Sequence, residues 1–167
     1  NEYLAHFIGS IVYIQKGIYQ TSQIPQLMVI DGQQRIVTMS LLLCAIKKYL
    51  QNHPDNNAPS SQKILNYYLI NPEENSDLRY KVILTQTDRE TIKNIVDDVQ
   101  AEISNKSLHI TENYAYFLRM LEKQTINIDD LFQGIRKLII VDISLDGNYD
   151  NPQLIFESLN STGLELS

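Results

Sequence analysis

Apolar positions recur in several distinct patterns along the chain, and each predicts an element. Ser10 to Gln15 is rich in β-branched and aromatic residues before Lys16-Gly17 breaks the run, which predicts a strand entered from a short helix-like N-terminal piece. Leu27-Met28-Val29-Ile30, leading to Asp31, is continuously apolar and reads as an interior strand. A helix follows from about Gln33 to Gln51. It is apolar on nearly every side between Ile36 and Ile46, the mark of a central helix covered by other elements. Residues 52–61, with Pro54, Pro59 and several Asn and Ser, read as a mobile loop.

Beyond the loop the spacing changes to single apolar faces. Ile92, Ile95, Val96, Val99 and Ile103 predict a helix opened by the capping pattern Thr87-Asp88-Arg89-Glu90. Tyr114, Phe117, Leu118 and Leu121 predict a second helix. Asn127 caps a third through Leu131, Phe132 and Ile135. Tyr80 to Leu84 reads as an additional strand, and Lys137 to Leu145 as a strong one ended by Asp146-Gly147-Asn148. Asn151-Pro152 starts a last helix that runs to about Asn160, with Gly163 at its stop. The expected fold class is α/β, mixed with α+β character: a small sheet, a central buried helix, and a helical insertion at about 60–136.

The 167 residues fit one domain with a real core. The chain starts without methionine in what reads as helix and stops just after a turn, so it reads as a single truncated domain. A net charge of -6 and a pI near 5.0 remove the overall basic field that dominates nucleic-acid affinity, so DNA contact has to be local or supplied by other parts. One cysteine, Cys44, excludes a disulfide framework and a cysteine zinc site, and the chain reads as intracellular and cytoplasmic. The longest apolar stretch falls short of the roughly 20 residues that cross a bilayer.

Candidate chemistry concentrates at Asp31-Gly32-Gln33-Gln34-Arg35, where a strand ends and a helix begins. Free N–H groups and the positive helix end meet there and suit an anion. The guanidinium and amides add donors for phosphate oxygens, and the carboxylate can position a metal or a water. Thr38 extends this polar stripe along the helix. A plain tight turn fits as well: Gly32 supplies an unusual backbone angle, Asp31 caps the helix and Arg35 pairs with a carboxylate. Against that, Gln33 and Gln34 have no capping task that smaller residues would not do better. A second constellation runs from Phe156 to Gly163. Phe156 and Leu159 fit core positions and Asn160, Ser161 and Thr162 a polar turn, while the same hydroxyl and amide groups at a helix end also suit a ligand.

Three blocks, HFIGSIVY at 6–13, VIDGQQRIVTMSLLL at 29–43 and IFESLNSTGLELS at 155–167, resemble the N-terminal domain of GmrSD-type modification-dependent restriction proteins, related to the ParB and sulfiredoxin-like nucleotide-binding fold. They keep the family's order across nearly the whole chain. The resemblance implies a bacterial phage-defence domain that binds and hydrolyses an NTP, GTP or ATP with Mg2+, and regulates a separate HNH-type nuclease domain or subunit that cuts modified DNA. It also allows a homo-oligomer. Carried over by motif, Asp31 is the polar or metal-positioning group, Gln33, Gln34 and Arg35 contact phosphates, Gly32 and Thr38 complete that side, and Phe156 and Asn160 form the Phe-x-x-x-Asn motif of the same pocket beside Ser161 and Thr162. Two departures stand out. The upstream piece with Gln-Arg and Tyr-x-Trp is absent, since the chain has no Trp, and Val37 replaces a frequent Thr.

Two other readings remain. A non-enzymatic DNA-sensing or scaffold module would use the motif as a structural clamp, with Lys47, Lys48 and Lys63 as a local basic patch. Direct nuclease action is disfavoured, because no metal cluster or HNH-like arrangement is visible. His6, His53 and His109, placed at a helix end, a Pro-flanked loop and a turn, lack ligand spacing and read as ordinary surface or core residues. Nine of the 20 carboxylates fall between Glu73 and Glu112 and read as a solvated helical face.

Overall fold

A computed structural model describes residues 5–15, 24–55, 58–99, 107–123, 126–145, Leu154 and Glu157. Its elements are β1 (His6–Gln15), β2 (Leu27–Asp31), α1 (Gln33–Asn52), α2 (Ser61–Ile64), a π-helical turn (Leu65–Leu69), a 3-10 turn (Asp77–Arg79), α3 (Gln86–Val96), α4 (Leu108–Glu122), α5 (Ile128–Ile135) and β3 (Leu138–Leu145). The class is mixed α/β, as the sequence pattern predicts. Two compact units are present, residues 1–34 with 137–167 and residues 35–136.

The first unit holds the described sheet, in the order β2-β1-β3, with β1 antiparallel to β2 and parallel to β3. A parallel pair needs a long connection between its strands, and here the chain between β2 and β3 contains all of the helices from α1 to α5. Strand β1 starts at His6, in place of the helix-like entry expected there. One extra residue is accommodated between the Phe7↔Ile139 and Ser10↔Val141 pairs, and Gly9 adopts a φ of 110° at this bulge. Strand β2 lies at an edge of the described sheet, not in its interior, and Leu27 and Met28 are exposed. Its apolar run therefore did not report burial on both faces.

The second unit is helical around one apolar core. Leu41, Cys44, Ala45, Ile46 and Leu50 of α1 meet Ile64, Leu69, Ile70, Ile92, Val96, Ile110, Leu121, Ile128 and Phe132. From Met39 to Leu50 every residue of α1 is buried or half-buried, in keeping with the central helix expected. Removing each large aliphatic side chain from water contributes about 2 kcal/mol, which favours gathering these residues together. Helix α1 ends at Asn52. His53 N–H donates to the Tyr49 carbonyl at 2.9 Å, its ring stacks on Tyr49 at 4.3 Å between centroids, and Pro54 then prevents continuation.

Several local expectations change. Helix α3 begins at Gln86 with Thr85 in the cap position and no side-chain cap bond, so the helix opens ahead of Thr87 and the expected capping box does not start it. Helix α3 also stops at Val96, because Asp98 takes a φ of 58° and redirects the chain; Val99 is accordingly exposed, and Ile103 lies outside the described residues. Tyr80 to Leu84 does not form a strand: Tyr80 makes a single bridge to Ile70, and the next residues take no ladder. The Asn127 cap is present, its side chain accepting the Asp129 N–H at 2.8 Å. Of the last predicted helix, Leu154 and Glu157 are described and helical.

The carboxylates between Glu73 and Glu112 are more than a solvated face. Asp77 binds Lys93 at 2.7 Å, Asp97 binds Arg79 at 2.6 Å and the Tyr80 hydroxyl at 2.5 Å, and Asp98 pairs with Lys47 at 3.1 Å and Lys48 at 3.2 Å. These bonds fasten the segments between α1, the 3-10 turn and α3.

Candidate functional site

The end of β2 is shaped by a bulge. Tyr13 pairs with Val29, but the next residue of β1, Val12, pairs with Asp31, which leaves Ile30 as the extra residue. Directly opposed residues of an antiparallel pair share a sheet face. Asp31 therefore occupies the Val12 side, the place Ile30 would take in a regular ladder. Bulges commonly re-aim a side chain next to a functional site. Asp31 is half-buried there.

Gly32 then turns the chain with a φ of 87°. A Cβ at this position would lie 2.8 Å from the Ser10 carbonyl oxygen and 3.0 Å from Ile11 Cγ1. Glycine is required twice over, by the backbone angle and by the close approach of β1. The glycine of the turn is legible in the sequence, whereas its contact with β1 is not.

Helix α1 begins at Gln33 without an acidic residue in its first turn. Its positive end is thus not neutralised by a carboxylate from that turn. The Gln33 side chain donates back to the Val29 carbonyl at 2.9 Å, so this residue locks the strand-to-helix turn, a task the sequence did not reveal. Gln34 and Thr38 are exposed, and Arg35 is half-buried. Two turns into the helix, Ser40 satisfies its hydroxyl on the Ile36 carbonyl at 2.8 Å and is structural. Phe156, Asn160, Ser161 and Thr162 lie outside the described residues.

The expected three-lysine patch does not assemble. Lys47 is only 3% exposed, donating to the Val96 carbonyl at 2.6 Å and pairing with Asp98, which Lys48 also engages. Burial opposes ionisation of Asp98, but the charge of Lys47 and hydrogen bonds from Lys47, Gln51 and Lys48 outweigh it and hold its carboxyl below the usual range. Cys44 lies in the same buried region, and desolvation pushes its thiol up to about 12 despite the attraction of Lys47. It is a core residue, not a nucleophile.

His6 sits in β1 and His109 in α4, unlike the helix-end and turn positions expected, and His53 is absorbed by its contacts with Tyr49. Among the described residues no group of three or more His, Cys, Asp or Glu side chains is placed to hold a metal. Nor is any described helix long and apolar enough to cross a membrane.

The family model of the GmrSD restriction endonuclease N-terminal domain matches residues 1–167. The chain belongs to this family. Membership links it to DNA restriction and phage defence, and gives the DGQQR turn, the bulge before it and the helix after it a setting in a DNA-acting protein. No curated protein matches the chain.

Proposed function

We propose that this GmrSD N-terminal domain binds an NTP with Mg2+ at the Asp31–Arg35 turn, hydrolyses it, and through its nucleotide state regulates an HNH-type nuclease domain or subunit acting on modified DNA. The observation that supports this reading most is the junction itself. A bulge places a half-buried carboxylate at the end of β2, and a glycine at φ 87° leads straight into a helix of 20 residues whose first turn has Gln33, Gln34 and Arg35 but no acid. Backbone N–H groups at that helix start suit phosphate oxygens. Gln34 and Thr38, both exposed, add side-chain donors, and Arg35 adds a guanidinium able to make two parallel bonds to a phosphate.

Magnesium binds through one or two carboxylates plus phosphate oxygens and waters. Asp31 fits as the single protein ligand of such an ion. In this reading Asn160, Ser161 and Thr162 complete the nucleotide pocket, and Phe156 packs it or stacks on the base.

A structure determined with a non-hydrolysable NTP and Mg2+ tests the arrangement. The phosphates are expected within hydrogen-bond reach of the Gln34 and Arg35 groups, with Asp31 on the metal side and Asn160 in the same pocket. A nucleotide bound elsewhere, with the turn empty, would remove the proposal.

A further inference from the structure

We propose that Tyr67 and Tyr68, held on the π-helical turn between Lys63 and Lys81, form a stacking platform for unpaired DNA bases. These residues lie apart in sequence from the Asp31–Arg35 turn, and their stacking does not depend on nucleotide binding.

The turn inverts what helical periodicity would do with these rings. Ile64 is fully buried, and in an α-helix the residues three and four positions on, Tyr67 and Tyr68, would share its face. Instead the turn widens, closed by the Ile70 N–H on the Leu65 carbonyl at 3.0 Å. Leu69 and Ile70 take the core positions, each 4% exposed, and the tyrosines are turned out, 66% and 51% exposed. Single π-helical turns are rare and frequently occur at functional sites. Here the wider turn spends its extra residue on exposing two aromatic rings.

The turn is anchored by hydrogen bonds and flanked by two lysines. The Asn71 N–H donates to the Arg79 carbonyl at 2.7 Å, the Lys81 N–H to the Leu69 carbonyl at 3.0 Å, and the Asn71 side chain to the Leu78 carbonyl at 2.7 Å. Lys81 is thereby brought beside the turn, where its ammonium donates to the Tyr67 carbonyl at 2.6 Å. The Lys63 ammonium lies 5.8 Å from the centre of the Tyr67 ring. Other basic groups of the helical unit are engaged in ion pairs: Arg79 with Asp97, Arg89 with Asp77, Lys93 with Asp77 and Glu90, and Lys47 and Lys48 with Asp98. Lys63 and Lys81 make no ion pair among the described residues, so their charges remain available to a phosphate backbone.

Exposed rings beside lysines are the combination that holds single-stranded nucleic acid, because every base has a face to stack and its backbone needs cations. In a duplex the base faces are already stacked, so the platform favours unpaired DNA. A chain of net charge -6 binds DNA only through such a local feature. Its family acts on DNA.

Fluorescence anisotropy with labelled single-stranded oligothymidine and a duplex of equal length, in a salt series, tests this on the whole chain. The chain is expected to bind the single strand more tightly. Replacing both rings, Tyr67→Ala with Tyr68→Ala, is expected to weaken that binding at least about tenfold. Tyr67→Phe with Tyr68→Phe should keep it, since stacking needs the ring and not the hydroxyl. Lys63→Gln with Lys81→Gln should flatten the salt dependence by about 1.4 in the log–log slope. Circular dichroism melts report whether each variant folds. Equal binding by the alanine and parent proteins overturns the proposal, as does a parent that prefers duplex or binds no single strand; in those cases the exposed rings face a protein partner or solvent.

Discussion

Gly32 approaches the Ser10 carbonyl so closely that a Cβ would lie 2.8 Å from its oxygen. The strand-to-helix turn is therefore pinned to the central strand by the absence of a side chain. Gly32→Ala introduces both a clash with backbone and a strained positive φ, and is expected to cost about 3 kcal/mol. Gly134 is the contrast, lying inside α5 with nothing within 4 Å of a Cβ. Gly134→Ala should stabilise by about 1 kcal/mol through helix propensity alone. Denaturant melts of the two variants check the pair, and equal shifts in the same direction would contradict it.

Lys47 is expected to matter for stability and not for DNA contact. Lys47→Met keeps the stem but leaves the Val96 carbonyl without its 2.6 Å donor and Asp98 with Lys48 as its remaining lysine partner. Because Asp98 is partly exposed and keeps that partner, the expected loss is about 2 kcal/mol, below the range for a fully buried pair. Urea unfolding measures it. A neutral substitution would show that the fastening contributes nothing net.

Acid should loosen the same fastening. The Asp98 carboxyl is held below its ordinary value in the folded chain, so its contribution is fully present above the unfolded pKa of about 3.9 and is lost as pH falls through the lower folded value. Melting temperature is expected to drop below about pH 4, and to drop less steeply in Lys47→Met, where part of that contribution is already gone. Identical acid profiles for both proteins would count against it.

The buried thiol gives an alkaline counterpart. Burial raises the Cys44 pKa to about 12, so its contribution to stability is complete below the unfolded value of about 8.5 and fades as pH rises towards 12. Ellman's reagent at pH 8 is expected to react with Cys44 in denaturant and hardly at all in the native chain. Rapid native labelling would place the thiol outside the core.

Much of the framework is legible in the sequence where a pattern is long or its punctuation strong. Leu27–Asp31 is predicted to the residue, α1 differs by one residue at its end, and β3 by one at its start. Asn127 caps α5 because an amide oxygen reaches a free helix N–H whatever the surroundings. Tyr80 to Leu84 fails because strand-forming residues still need a partner strand, and Tyr80 finds only one bridge and a bond to Asp97. Gly9 and the Ile30 bulge follow from pairing between strands, and the outward turn of Tyr67 and Tyr68 from a widened helical turn that α periodicity conceals. At the candidate site, the DGQQR residues and the helix behind them can be read from the sequence. The bond from Gln33 to Val29 and the sequestration of Lys47 depend on contacts that no spacing encodes.

Equilibrium binding of labelled GTP and ATP with magnesium, by the whole chain and by Arg35→Ala, tests the nucleotide reading most directly. Arg35 lies in the first turn of α1, and its substitution removes the guanidinium proposed to hold the phosphates while leaving Gly32 and the β2 bulge in place. The account predicts saturable binding of at least one nucleotide by the parent and about a tenfold or greater loss in the folded variant, as for removal of a charge-assisted hydrogen bond. Identical weak binding by both proteins would contradict it.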